Sequence, residues 1–446
     1  MSASDVRAFR AKVLHFTGMP DPSTGAGIEY FEDGVLLVEN GRVKALGDAQ
    51  LMAQQGVDLS ECEHFPDHLL MPGFIDSHIH YPQTSVIASY GEQLLDWLNN
   101  YTFPTELQFS DPEFAAVAAD AFLKFLLQNG TTSAMVYTTV FAQSTQAFFN
   151  TAAKMNLRMI AGKVMMDRHA PPGLLDTPES SDADCRKLIE QWHNSNRLHY
   201  ALTPRFAPTS TPEQLAVAGQ IYRDYPDLYL QTHLSENHQE IAWIKSLYPN
   251  ARDYLDVYDH YGLLGSRSVF GHGIHLSERE VERLAKTGSG IAFCPTSNLF
   301  LGSGLLDMAR LEGAGVPVSL ATDVGGGTSF SQLRTLAEAY KVLQLQGQNL
   351  HSLKGFYMAT LGNARALQLD NCIGNFEQGK EADFILINLG ATPLQAMRQQ
   401  HTKTLSEKLF ALMTLGDEHN IARTYIMGKL VFERKEAGQG ALKWML

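Results

Sequence analysis

Only four cysteines occur in 446 residues, Cys62, Cys185, Cys294 and Cys372, and no two form a C-x-x-C pair. That excludes a disulfide framework and a zinc finger, and leaves buried free thiols in a reducing compartment. No run approaches the ~18 apolar residues of a membrane helix. The opening segment MSASDVRAFRAKVLHFTG has charges spaced through it and no apolar core of a signal peptide, so a cytoplasmic location is expected. Positive charge is in deficit: 35 Lys and Arg stand against 48 Asp and Glu, a formal net charge of −13. An acidic surface argues against nucleic-acid and anionic-membrane partners. Neither G-x-G-x-x-G nor G-x-x-x-x-G-K-S/T occurs, so nothing favours a dinucleotide or P-loop fold.

What the chain does have is ample core material, 44% hydrophobic residues, arranged in an alternating pattern. Both ends read as short strands. GVLLVENGRVKALG carries Asn40-Gly41 between two apolar runs, a hairpin signal, and ARTYIMGKLVFER turns at Met427-Gly428. The middle holds eight apolar, β-rich runs, at 69–80, 131–139, 158–166, 198–206, 227–234, 268–275, 289–297 and 317–324. Amphipathic stretches separate them, such as SEREVERLAKTG with its Ser cap and Glu three residues on. Strands alternating with helices mean a parallel sheet, and eight repeats predict an α/β fold of the (β/α)₈ barrel type. An open doubly wound sheet is the structural alternative. The predicted division is a barrel over 69–370 and a small β-sandwich domain built from 1–68 and 371–446.

Barrel chemistry sits at the C-terminal ends of the strands. Run one ends in His78 and His80, run four in Pro204-Arg205-Phe206, and run five in His233 with Glu236 just beyond. Run six holds His272, and run eight ends in Thr322-Asp323. Singly, each has an ordinary reading: a hydrogen-bonded histidine, an aspartate capping the next helix, an arginine in an ion pair. Jointly they converge on one mouth. His78 and His80 are two apart in a strand and face the same way, so both can bind one ion. His233 and Asp323 complete three nitrogens and a carboxylate, which suits Zn²⁺ or Fe²⁺ with a position left for water.

H-x-H on strand one, H-x-x-E on strand five, His on strand six and Asp on strand eight resemble the amidohydrolase superfamily. PGFIDSHIHYPQ, LLDWLNNYTFPTE, TPRFAPTS and CPTSNLFLGSG together resemble its guanine deaminase family. The resemblance spans the whole chain. It implies one Zn²⁺ (or Fe²⁺) per subunit, held by His78, His80, His233 and Asp323, with His272 as a loose further ligand or a holder of the water. It implies catalytic roles for Asp323, which takes the water's proton, and Glu236, which protonates the ring and serves the leaving amine. Lys163 on run three takes the structural reading, because H-x-x-E marks the mononuclear group. Gln83 and Arg205 are expected to read the purine edge and Phe206 to pack on its face, alongside His80 and His233; Trp97 is read as core. The implied reaction is guanine to xanthine and ammonia, in a protein that works as a homodimer. Two rival readings stay open: a hydrolase of another amino-heterocycle such as a pterin, an oxidised guanine or a triazine-like ring, and a metal-free binding barrel.

Overall fold

A computed structural model describes residues 6–90 and 94–435. The amino-terminal strands are β1 (Val6–Phe16), β2 (Ile28–Glu39), β3 (Arg42–Asp48) and β4 (Glu63–Pro72). The barrel strands follow: β5 (Phe74–His80), β6 (Thr131–Tyr137), β7 (Arg158–Gly162), β8 (Val164–Met165), β9 (Leu198–Pro204), β10 (Tyr229–Leu234), β11 (Ser268–His272), β12 (Gly290–Phe293) and β13 (Val318–Leu320). The chain closes with β14 (Phe384–Asn388), β15 (Ile421–Ile426) and β16 (Lys429–Glu433).

Two sheets result. A seven-stranded sheet runs β16-β15-β14-β4-β1-β2-β3, so strands from both ends of the chain share it. The Asn40-Gly41 and Met427-Gly428 turns have positive φ at both central residues (53° and 80°, 49° and 71°). That is the left-handed conformation a two-residue hairpin needs to match strand twist. The second sheet runs β13-β12-β11-β10-β9-β7-β6-β5, with β8 paired to β9. Every pairing in it is parallel. This is the predicted barrel, one strand to each run apart from the β7–β8 break.

Two details differ from the expectation. The run 69–80 is not one strand: β4 ends at Pro72 in the terminal sheet, and β5 starts at Phe74 in the barrel. A continuous apolar run cannot reveal that one strand hands over to another. The carboxy-terminal part also holds two helices, Pro393–Gln400 and Leu405–Leu415, where only strands were foreseen. The second buries Leu409, Ala411, Leu412 and Met413 and packs against the barrel helices Gln332–Gln344 and Ser352–Tyr357.

β5 and β13 stand at the two ends of the barrel order, and side chains sew the seam between them. The Asn363 amide donates to Ile75 O and Leu320 O, each at 2.7 Å, and accepts from Leu320 N at 2.7 Å. Ser77 Oγ donates to Leu320 O at 3.0 Å, and Asp323 N donates to His78 O at 2.9 Å. The last bond places Asp323 directly beside the first histidine.

Candidate metal centre and binding pocket

His272 and Asp323 sit at φ 72° and 51°, a left-handed conformation that costs a non-glycine residue energy. Such strain persists where the surroundings hold it, and here both side chains turn into the barrel mouth. Gly271 makes room for this: a Cβ there would lie 2.6 Å from His78 Cε1.

The donor atoms converge as the period-two argument requires. His78 Nε2 and His80 Nε2 are 3.3 Å apart, and His80 Nε2 and His233 Nε2 are also 3.3 Å apart. Asp323 Oδ1 lies 3.3 Å from both His78 Nε2 and His80 Nε2. Bonds of ~2.0–2.1 Å around a tetrahedral ion place donors ~3.3–3.4 Å apart. Burial lowers the His80 pKa to about 4 and that of His233 well below its usual value, helped for His233 by the neighbouring imidazoles. Three imidazole nitrogens and a carboxylate oxygen that converge at these spacings fit a cation between them. His233 Nδ1 donates to Arg205 O at 2.7 Å, which fixes Nε2 as its free lone pair. Burial alone would raise the Asp323 pKa, but hydrogen bonds from His78 and His80 outweigh it and hold this carboxyl well below the usual range.

His272 stands on the other side. Its Nε2 is 3.3 Å from Glu236 Oε2 and 3.9 Å from Asp323 Oδ2, and Nδ1 meets Asn298 Nδ2 at 2.9 Å. Burial brings its pKa down to about 3. Glu236 is buried and accepts from Ser303 Oγ at 2.9 Å. Burial, reinforced by the charges of Glu240 and Asp323, pushes its pKa well above the usual carboxyl value. A carboxyl whose pKa is raised, beside one whose pKa is held down, is the pairing of acid and base that hydrolysis needs.

A pocket opens onto this centre. His80, Gln83, Arg205, Phe206, His233, Glu236, His272 and Asp323 all line it, and His78 lies beneath in the donor cluster, so the structure brings the predicted site residues together. Leu94, Trp97, Leu98 and Leu301 form apolar walls. Trp97 is thus core and pocket wall at once, buried in an apolar cluster with Leu174 and Phe206. Lys163 is spent elsewhere, paired with Asp176 at 2.6 Å.

Sequence reasoning missed three residues here. Glu106 accepts from Arg205 and Gln83, Asn298 meets His272, and Ser303 donates to Glu236. All three lie inside segments with a distinctive pattern, but a buried polar side chain is not legible without its partner.

A barrel mouth lined by three imidazoles and an acidic pair defines a metal-dependent hydrolase. The chain belongs to the amidohydrolase family, whose profile matches residues 69–431. Within it the chain falls among the guanine deaminases. It is 53% identical over 431 residues to guanine deaminase of Escherichia coli K12, covering 96% of this chain and 98% of that one. The solved E. coli guanine deaminase superposes with a TM-score of 0.93 at 51% identity, covering 96% and 100%. A guanine deaminase from C. acetobutylicum, solved with guanine in its active site, superposes at 0.87 with 28% identity, covering 96% and 100%.

Proposed function

We propose that the protein hydrolyses guanine to xanthine and ammonia. The observation that carries this is the joint one: Glu236, its pKa raised by burial, and Asp323, its pKa held down, flank the histidine cluster at the floor of a pocket that presents Arg205 and Gln83. The 53% identity to a guanine deaminase over nearly the whole chain supports the same substrate.

His78, His80, His233 and Asp323 would hold the metal, with Zn²⁺ the proposed ion for three imidazoles and one carboxylate. When bound, it lowers the pKa of a water molecule enough to make hydroxide available at neutral pH. Asp323 takes the proton from that water. His272 Nε2 holds the oxygen from the far side. The oxygen attacks C2 while Glu236 protonates ring N3. Glu236 then collects the hydroxyl proton from the tetrahedral carbon and delivers it to the amine, the C2–N bond breaks, and ammonia leaves. The proton on Asp323 returns to Glu236 and resets the site.

Arg205 donates to O6 and N7, the edge of guanine that an arginine fork matches. Gln83 supplies an amide, and Phe206 packs on the ring. Adenine, which lacks O6, leaves these buried donors unpaired and is refused by a large factor. The proposal extends to a cytoplasmic homodimer; among the described residues no helix is long and apolar enough to cross a membrane.

The test is guanine turnover by purified, metal-analysed protein, following xanthine and ammonia. Glu236→Gln is expected to lower kcat by ~10²–10⁴-fold with the metal retained. Chelation abolishes turnover, and re-addition of Zn²⁺ restores it. A fully metal-loaded protein that leaves guanine intact would overturn the assignment and redirect the search to pterins and triazines.

A further inference from the structure

Arg205 and Gln83 reach the pocket from different places, Arg205 just past β9 and Gln83 in the 3₁₀ turn Tyr81–Val86 after β5. A third residue joins them. Glu106 ends the short helix Phe103–Glu106 and has no exposed surface. Both its oxygens accept from Arg205 Nη1, each at 2.9 Å, and Oε1 accepts from Gln83 Nε2 at 3.3 Å. The Phe103 ring from the same helix lies 5.4 Å from the Arg205 guanidinium carbon, so one element supplies both the charge partner and a stacking surface. Two physical consequences follow. The guanidinium meets the pocket with its charge already balanced. The Gln83 amide is turned so that its nitrogen faces Glu106 and its oxygen lies against Gly325.

We propose that Glu106 is a positioning and specificity residue: it makes the recognition end of the pocket electrically neutral and fixes the Gln83 amide, so that neutral purines are bound in preference to anionic ones. The inference rests on the purine reading above. Xanthine is a stronger acid than guanine. A bare buried guanidinium would hold its anion and slow product release; a guanidinium balanced by Glu106 does not. A buried charge left without its partner seeks another, and an anionic ligand is the nearest available.

The variant is Glu106→Gln, close in shape and uncharged. Binding of xanthine and of hypoxanthine to the metal-loaded protein is measured by calorimetry. The pH is mildly alkaline, where xanthine has largely lost a proton and hypoxanthine has kept its own. Neither purine carries the 2-amino group, so the measurement does not depend on turnover. The expected result is a shift in preference toward xanthine of ~10-fold or more, with KM for guanine raised and kcat changed less than KM. General destabilisation does not alter a ratio of affinities. If Glu106→Gln does not fold, Glu106→Asp keeps the charge at a shorter reach, and it should raise KM while holding the xanthine-to-hypoxanthine ratio. An unchanged ratio in Glu106→Gln, or a shifted one in Glu106→Asp, overturns the proposal. Failure of the unmodified protein to deaminate guanine is a separate result and sinks the substrate assignment instead.

Discussion

Glu240 lies four residues beyond Glu236, in the first turn of the helix His238–Leu247, and is buried. Its Oε2 accepts from the Glu236 and Asn237 backbone at 3.0 and 3.3 Å, and Oε1 accepts the Tyr254 hydroxyl at 2.7 Å. Burial outweighs these bonds and raises its pKa from 4.5 to about 7. The folded protein therefore holds this proton more tightly than the unfolded chain. The resulting stability is fully present below pH 4.5 and is lost as pH rises through about 7, a change of ~3 kcal/mol. Glu240→Gln has no such proton to lose. The difference in unfolding free energy between the two proteins should move by ~3 kcal/mol in favour of the variant between pH 5 and pH 8, measured by denaturant unfolding. A difference that stays flat across that range would mean that Glu240 does not titrate there. Because the Glu240 charge also raises the Glu236 pKa, the same variant should lower that pKa and with it the share of Glu236 that carries the proton for N3.

At the scale of elements, the histidines were legible and the residues that hold the barrel shut were not. His78 and His80 announce themselves through a period of two, and a barrel brings their strand end to His233 and Asp323 without further information. The start of the helix at Ser277 was equally plain, since Ser277 and Glu280 form a capping box in the structure. Glu106 closes the stretch LLDWLNNYTFPTE, which gave no role to this residue; only Arg205, 99 residues later, explains its burial. Asn363 is hidden for the same reason, its three partners lying on strands 43 and 288 residues away. Asn363→Ala removes the stitch between β5 and β13 and leaves buried backbone groups of Ile75 and Leu320 unpaired. The expected cost is ~3–5 kcal/mol, read as a lowered denaturation midpoint. Asn363→Asp keeps the acceptor for Leu320 N and loses the donors, so it should not restore stability. A loss below ~1 kcal/mol in the alanine variant would show that the seam is held elsewhere.

Across the whole molecule, chemistry and scaffold occupy opposite ends of the barrel. The proposed metal centre sits beyond the ends of β5, β10 and β13, while a buried ion network sits where β7 and β9 begin. Arg158 and Arg197 both pair with Glu381, at 2.5 and 2.9 Å, and Arg197 also pairs with Asp383. These acids immediately precede β14 of the terminal sheet. Asp383 further accepts from Met427 N at 2.8 Å, and its carbonyl accepts from Gly73 N at 3.0 Å. The network therefore ties barrel base, both termini and the β4–β5 handover at one point. In the sequence these are four ordinary charged residues, two in the barrel and two near the far end of the chain. Glu381→Ala leaves two buried guanidinium groups short of a partner, and breaking such a pair from one side costs ~3–5 kcal/mol. The site it leaves untouched lies at the far end of the strands. The unfolding midpoint should therefore fall sharply, while kcat/KM of the protein that remains folded and metal-loaded stays within ~2-fold of the unmodified enzyme. A drop in kcat/KM with the midpoint preserved would mean that the barrel transmits strain from base to mouth, and that the two ends are not independent.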